Sequence, residues 1–242
     1  MSGPRRLFVL GGSSGIGLAV ARVAVDDPEL EVHVTASSTD SAARADATLQ
    51  GMATVHVVDL RTIADDALRG LTVGTDVLVL CAAVEYVGPA ALEPPGALQE
   101  MLAVNVRGPA VAIAGCVPTM VQRGEGLIVG LGSIVSRDPR PFLAGYSASK
   151  AAFETYLHSL QGEVASLGVD VQVVVLGPVE TDLGSKGPKN WDPAPASPYS
   201  AGFALARNSA IEERALLVRT PADAAEEVLR LVWRARDKRS QS

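Results

Sequence analysis

Tyr146 and Lys150, in the stretch GYSASKAAF (145–153), stand four residues apart. On a helix that spacing puts both side chains on one face, a turn from each other. A phenol titrates near about 10 and is a poor proton donor or acceptor at neutral pH. An ammonium beside it stabilises the phenolate and lowers that value. Only the small residues Ser147, Ala148 and Ser149 separate the pair, which leaves room around it. The spacing therefore suits an acid/base tyrosine tuned by a lysine. An exposed Tyr–Lys pair on a solvated helix has the same spacing, so the rest of the chain must decide between them.

The elements that would position this pair follow from hydrophobic patterning. Near-continuous apolar runs predict strands at Leu7–Leu10, Val32–Ala36, Thr54–Val58, Asp76–Leu80, Leu127–Leu131 and Val169–Leu176, each buried on both faces. Helical patterns follow at Ile16–Val25, Ala97–Gln122 and Ser147–Leu167, with a last helix from Pro221 to Asp237. This alternation predicts an α/β fold of βαβ units, a parallel sheet with helices on both sides. No repeat or linker divides it, so a single domain is expected. The stretch 184–208 breaks the rhythm with Gly, Pro and Ser and is expected to be an excursion, continuing to 220 as a substrate lid. Ser133 lies just past the fifth strand. Ligands of open parallel sheets bind at the carboxyl ends of strands, so its hydroxyl should face the same site.

The segment VLGGSSGIGLAVA (9–21) follows the first strand and opens the first helix. Backbone N–H groups and the positive helix end suit a pyrophosphate there, and glycines 11, 15 and 17 leave no side chain in the way. The spacing is G-x-x-x-G-x-G, not the usual G-x-G-x-x-G, and alone it fits an ordinary strand-to-helix turn equally well.

Together, GGSSGIG, YSASK and a serine thirteen residues before the tyrosine resemble the short-chain dehydrogenase/reductase family, over Leu7 to about Asp182. The stretch after the second strand resembles its NADP-dependent ketoreductases. The resemblance implies a Rossmann-type doubly wound sheet and a catalytic set of Asn105, Ser133, Tyr146 and Lys150. In that set Ser133 hydrogen-bonds the substrate oxygen and Tyr146 transfers the proton. Lys150 also binds the nicotinamide ribose, and Asn105 anchors a water linking the lysine to solvent. Ser136 is near Ser133, but only Ser133 has the family's spacing. Cofactor contacts are implied at Gly11, Ser13, Ser14, Gly15, Ile16 and Gly17, at Asp59 and Leu60 by the adenine, at Cys81, Ala82 and Ala83, at Tyr146 and Lys150, and at Gly177, Val179 and Thr181, the last at the carboxamide. Two departures stand out. Leu176 replaces a usual proline, and LCAAV (80–84) replaces Asn-Asn-Ala-Gly, so the end of the fourth strand must be braced differently. Pro109 adds a physical point: lacking an N–H, it cannot bond the Asn105 carbonyl, and a kink is expected there.

Cofactor choice is read after the second strand, where a carboxylate would select NAD. Ser37 and Ser38 stand there instead, with Arg44 the nearest cation, so NADP(H) is favoured and NAD(H) is the alternative. Ser133, Val135, Phe142, Leu143, Leu183 and Trp191 are expected to wall a substrate pocket, and the apolar ones fit a core role equally. The expected activity is ketone–alcohol interconversion by hydride transfer. A non-catalytic dinucleotide sensor or scaffold, or a reductase of an imine or conjugated double bond, is the alternative.

Composition narrows the setting. The chain has 242 residues, 48% of them hydrophobic, and a net charge of −6, with a pI near 5.1. An acidic surface disfavours nucleic acid and anionic membranes as partners. No signal peptide and no segment of about 20 apolar residues is apparent. Two cysteines, Cys81 and Cys116, are too few for a disulfide framework, so a soluble, cytoplasmic protein is expected. Histidines 33, 56 and 158 have no metal-ligand spacing. The ending EEVLRLVWRARDKRSQS lacks the Asp-Gly-Gly-terminated seventh strand common in the family. A homodimer through helices 97–122 and 147–167 is expected, with Ala148, Ala152 and Ser159 allowing close approach.

Overall fold

The computed structural model describes residues 3–181, 183 and 193–239. Its six strands are β1 (Arg5–Leu10), β2 (Leu30–Ala36), β3 (Thr54–Val57), β4 (Val77–Leu80), β5 (Gly126–Ser133) and β6 (Val169–Leu176). They form one sheet in the order β3-β2-β1-β4-β5-β6, every pairing parallel. Strand order reverses between β1 and β4, which opens a crevice at the carboxyl edge where such sheets hold ligands. The helices are α1 (Gly15–Ala24), α2 (Thr39–Thr48), α3 (Asp65–Thr72), α4 (Ala97–Leu102), α5 (Gly108–Arg123), α6 (Ala144–Val164), α7 (Ser200–Leu217) and α8 (Pro221–Arg239).

Alternate strand residues supply two cores. Leu7, Val9, Val34, Val77 and Val79 pack under α1 and α8 through Val20, Ala21, Val228 and Leu229. Phe8, Leu10, Leu78, Leu80 and Ile128 pack on the other face against Ile113 and Cys116 of α5 and Phe153 and Leu157 of α6. Fully burying each such Leu, Val or Phe contributes roughly 1.5–3 kcal/mol.

Three expectations change. The helix foreseen over 97–122 is α4, a wider π-turn at Ala103–Arg107, and α5. In that turn the Gly108 N–H reaches back five residues to the Ala103 carbonyl. Pro109 has no N–H for the Asn105 carbonyl, and the regular α-helical bonding is interrupted there without a gap in the helix. Ala97–Arg123 is also long and apolar enough to cross a membrane by length and composition, contrary to the sequence reading. Its most apolar window has mean hydropathy 1.4 and is 56% buried, so core packing accounts for that character. Finally, the excursion is not irregular throughout. After Pro198 the alanine-rich run SAGFALARNSAIEERALL forms α7, because alanine and leucine favour helix where the prolines stop. Trp191 and 184–192, as well as Asp182, lie outside the described residues. Among the described residues there is no seventh strand; Val179 forms only a single parallel bridge to Arg219.

Candidate active site

β5 pairs with β4 up to Leu80↔Gly130 and then runs on beside β6 as far as Ser133↔Leu176. This overhang carries Ser133 to the carboxyl edge of the sheet, where α6 delivers Tyr146 and Lys150. Tyr146 is 7% exposed and Lys150 6%. The Ser133 hydroxyl hydrogen-bonds the phenol, and it also accepts weakly from the Val135 N–H at 3.4 Å. Val135, Leu143 and Leu183 pack with Tyr146 in a small apolar cluster. Phe142 stands edge-on to Phe203 of α7, ring centroids 5.2 Å apart.

The electrostatics correct one expectation. Burial raises the Tyr146 phenol well above its ordinary value, with the charges of Glu85 and Glu154 adding to the rise and the Ser133 hydrogen bond opposing it. Desolvation disfavours the phenolate more than its surroundings stabilise it. Lys150 does not offset this, because its Nζ donates to the Leu131 carbonyl at 2.9 Å and lies 5.9 Å from the Tyr146 ring centroid. Burial in turn lowers Lys150 to about 8, opposed by Cys81, Glu154 and Glu85. The Cys81 thiol, also buried, is pushed up to about 12.

Asn105 sits in the π-turn, 1% exposed. Its Oδ1 accepts the Val84 N–H at 2.8 Å, while its Nδ2 donates to the Val84 carbonyl and to Ser149 Oγ, each at 2.9 Å. Ser149 in turn donates to the Tyr146 carbonyl at 2.8 Å. This clamp is the bracing that LCAAV required. The amide acts as a piece of strand for Val84, and the Cys81 and Ala82 N–H groups both donate to the Leu10 carbonyl of β1.

Beside this site the turn after β1 leaves bare backbone. Gly11 has φ +87°, and a Cβ there would lie 2.6 Å from Ala82 Cα, so only glycine fits. Ser14 is the N-cap of α1 without its side chain capping, and Gly15, Ile16 and Gly17 form the first helical turn. Thr181 Cγ2 comes within 3.3 Å of where a Gly15 Cβ would be, which brings the segment after β6, with Gly177 and Val179, to this loop. A bare, uncapped helix start between β1 and β4 fits the phosphates of a dinucleotide. Farther out, Ser37 and Ser38 are exposed, and Ser38 caps α2 reciprocally with Ser41. Asp59 is held by Arg61 through both carboxylate oxygens at 2.8 Å, which keeps its carboxyl below the usual range. Leu60 is buried beside Gly108. Sequence reasoning missed Glu85 and Glu154, whose charges act on Tyr146 and Lys150, and Ser149. Glu154 had one visible signal, its place one turn beyond Lys150.

Comparison with known proteins agrees with this arrangement. The short chain dehydrogenase family model matches residues 5–190. Retinol dehydrogenase 8 of Bos taurus is 31% identical over 76% of this chain and 62% of its own length. The chain spans about three fifths of the length of such curated relatives. A solved short-chain dehydrogenase from Streptomyces avermitilis superposes with a TM-score of 0.80 at 26% identity, covering 94% of this chain and 84% of that one. A Beutenbergia cavernae protein proposed to be an NAD(P)-dependent gluconate 5-dehydrogenase, with NADP bound at low occupancy, gives 0.76 at 25% identity, covering 93% and 88%. The chain belongs to the short-chain dehydrogenase family.

Proposed function

We propose that the protein interconverts a ketone and a secondary alcohol with NADP(H). The observation that carries this reading is the buried Tyr146–Lys150 pair with the half-buried Ser133 at the carboxyl edge of the sheet, next to the bare glycine turn. Residues 11–17, Ala82, Ala83 and Thr181 would hold the dinucleotide, which supplies or accepts the hydride. Ser133 donates to the substrate oxygen. Tyr146 gives its proton to that oxygen in reduction and takes it back in oxidation. The phenol, raised by burial, holds its proton at neutral pH and has it to give in reduction. Lys150 stays largely an ammonium below about 8 and binds ribose hydroxyls. Asn105 fixes the backbone beside the site.

NADP is preferred because no carboxylate stands at the end of β2. The exposed Ser37 and the helix start at Ser38 can receive a phosphate, although Asp40 lies in the first turn of α2. A homodimer is supported by the outward face of α6, where Ala148, Ala152 and Ser159 are exposed. The test is NADPH oxidation by the purified protein against chemically diverse ketones. Turnover with at least one ketone is expected. Tight NADPH binding with no turnover on ketones, and turnover on an imine or enone instead, would replace the reading.

A further inference from the structure

β4 ends at Leu80, and the next two N–H groups, of Cys81 and Ala82, both turn to Leu10 on β1. β5 nevertheless continues to Ser133. Backbone groups alternate sides along a strand, and the Leu127 N–H donates to Asp76 on the β4 side. The Leu131 carbonyl and the Ser133 N–H therefore face the side where β4 has already ended. Unpaired, they would be costly at this depth. Two side chains of α6, one turn apart, complete the edge. Lys150 Nζ donates to the Leu131 carbonyl at 2.9 Å, and Glu154 Oε1 accepts the Ser133 N–H at 2.9 Å.

Glu154 is only 4% exposed. A Cβ at Gly132 would lie 2.4 Å from its Oε1, so the glycine is what lets a carboxylate rest on the strand. Its other oxygen is 3.7 Å from Arg137 Nε, on a side chain that is 65% exposed and well solvated. An amide would satisfy the Ser133 N–H equally well, so the strand edge alone does not explain a buried charge. Its neighbour along the helix does. Tyr146, Lys150 and Glu154 follow one another at four-residue intervals on one face of α6. We propose that Glu154 is a positioning residue, holding the end of β5 so that the Ser133 hydroxyl meets Tyr146, and placing its carboxyl group one turn beyond Lys150, which is tied to the same strand edge. This rests on the roles given above to Ser133 and Lys150. The other groups acting on Lys150 are Cys81 at the end of β4 and Glu85 just beyond it, with Tyr146 on its own helix.

The test uses the full chain with Glu154→Gln, which keeps an acceptor and loses the charge, and Glu154→Ala, which loses both. The Lys150 titration midpoint is followed through its 13Cε resonance, assigned with Lys150→Arg, and the Ser133 amide proton is followed in the same samples. The midpoint is expected to fall by about one unit in both variants. The Ser133 amide is expected to move upfield in Glu154→Ala and to be rescued in Glu154→Gln. An unchanged midpoint in Glu154→Gln overturns the electrostatic role, whatever happens to the melting temperature. A Ser133 amide that does not move in Glu154→Ala, or that Gln fails to restore, overturns the positioning role. Both readouts are independent of turnover, so a protein inactive on every ketone, which counts against the proposed function, is distinguishable from a failure of the Glu154 contacts themselves.

Discussion

Replacing Asn105 by alanine tests the clamp that stands in for the family's polar strand end. The substitution removes three hydrogen bonds, two to Val84 and one to Ser149 Oγ. Ser149 keeps its bond to the Tyr146 carbonyl, so the loss falls on the Val84 N–H and C=O. A buried polar group left without a partner costs roughly 1–3 kcal/mol. Val84 is half-buried, so water recovers part of this, and a net loss of about 2–4 kcal/mol is expected for the pair. With a urea dependence of about 1–3 kcal/mol per molar, the midpoint should fall by roughly 1 M or more. Asn105→Asp sharpens the test. It retains an acceptor for the Val84 N–H but turns a second oxygen toward the Val84 carbonyl, which favours the protonated acid. Its folded-state pKa should be raised, so its stability relative to wild type should be greater at pH 5 than at pH 8, reversing the ordinary carboxylate trend. Equilibrium urea unfolding of the three proteins, without nucleotide, gives the answer. A loss below about 1 kcal/mol in Asn105→Ala, the net value of one ordinary hydrogen bond, would refute the clamp.

Three further outcomes are expected. Lys150→Met removes a buried ammonium whose pKa falls to about 8 and also unpairs the Leu131 carbonyl, so its stability relative to wild type should depend on pH. Wild type should gain on the variant as pH rises from about 8 toward about 10.4, where the unfolded chain still holds the extra proton; parallel unfolding curves would contradict this. His33 and His56 share a hydrogen bond of 3.0 Å beside Phe8 and are both lowered, chiefly by burial. Stability should therefore be full above about pH 6.5 and fall below it, by at most about 1.4 kcal/mol per unit for each proton taken up. Urea midpoints that stay flat from pH 7.5 to 5, or that fall no less in His33→Phe, would contradict it. Ser37→Asp should weaken NADPH binding by at least tenfold on the order of a lost charge-assisted contact, and NADH binding far less, as titrated by fluorescence; equal losses would argue that Ser37 does not face the ribose.

The fold was legible because its central strands β1, β4 and β5 are buried on both faces, although the edge strand β3 is not. β6 was foreseen residue for residue, and the other strands to within a few positions, since near-continuous Val and Leu runs leave little else for them to be. Pro109 announced the interrupted bonding at Asn105 because a missing N–H is a property of one residue. The onset of α7 was masked by the Gly and Pro residues just before it. The Tyr146–Lys150 spacing placed both groups on one face, but spacing carries no information about depth. Burial, which depends on a cluster with Tyr86, Met101 and Val135, reversed the expected shift of the phenol. Glu154 escaped for a related reason. Its partner Ser133 is 21 residues away, and only the early end of β4 creates the vacancy it fills.

The central claim is that Tyr146 moves the proton. The direct measurement is kcat for NADPH-dependent reduction, on whichever ketone wild type consumes best, in Tyr146→Phe against wild type, with the NADPH dissociation constant determined in both. Phenylalanine preserves the ring packed in the cluster with Met101 and Val135 and removes only the hydroxyl. The account predicts a fall in kcat of roughly 10²–10⁴-fold, the usual contribution of a positioned acid, with NADPH affinity nearly unchanged. A variant that turns over at the wild-type rate would contradict it.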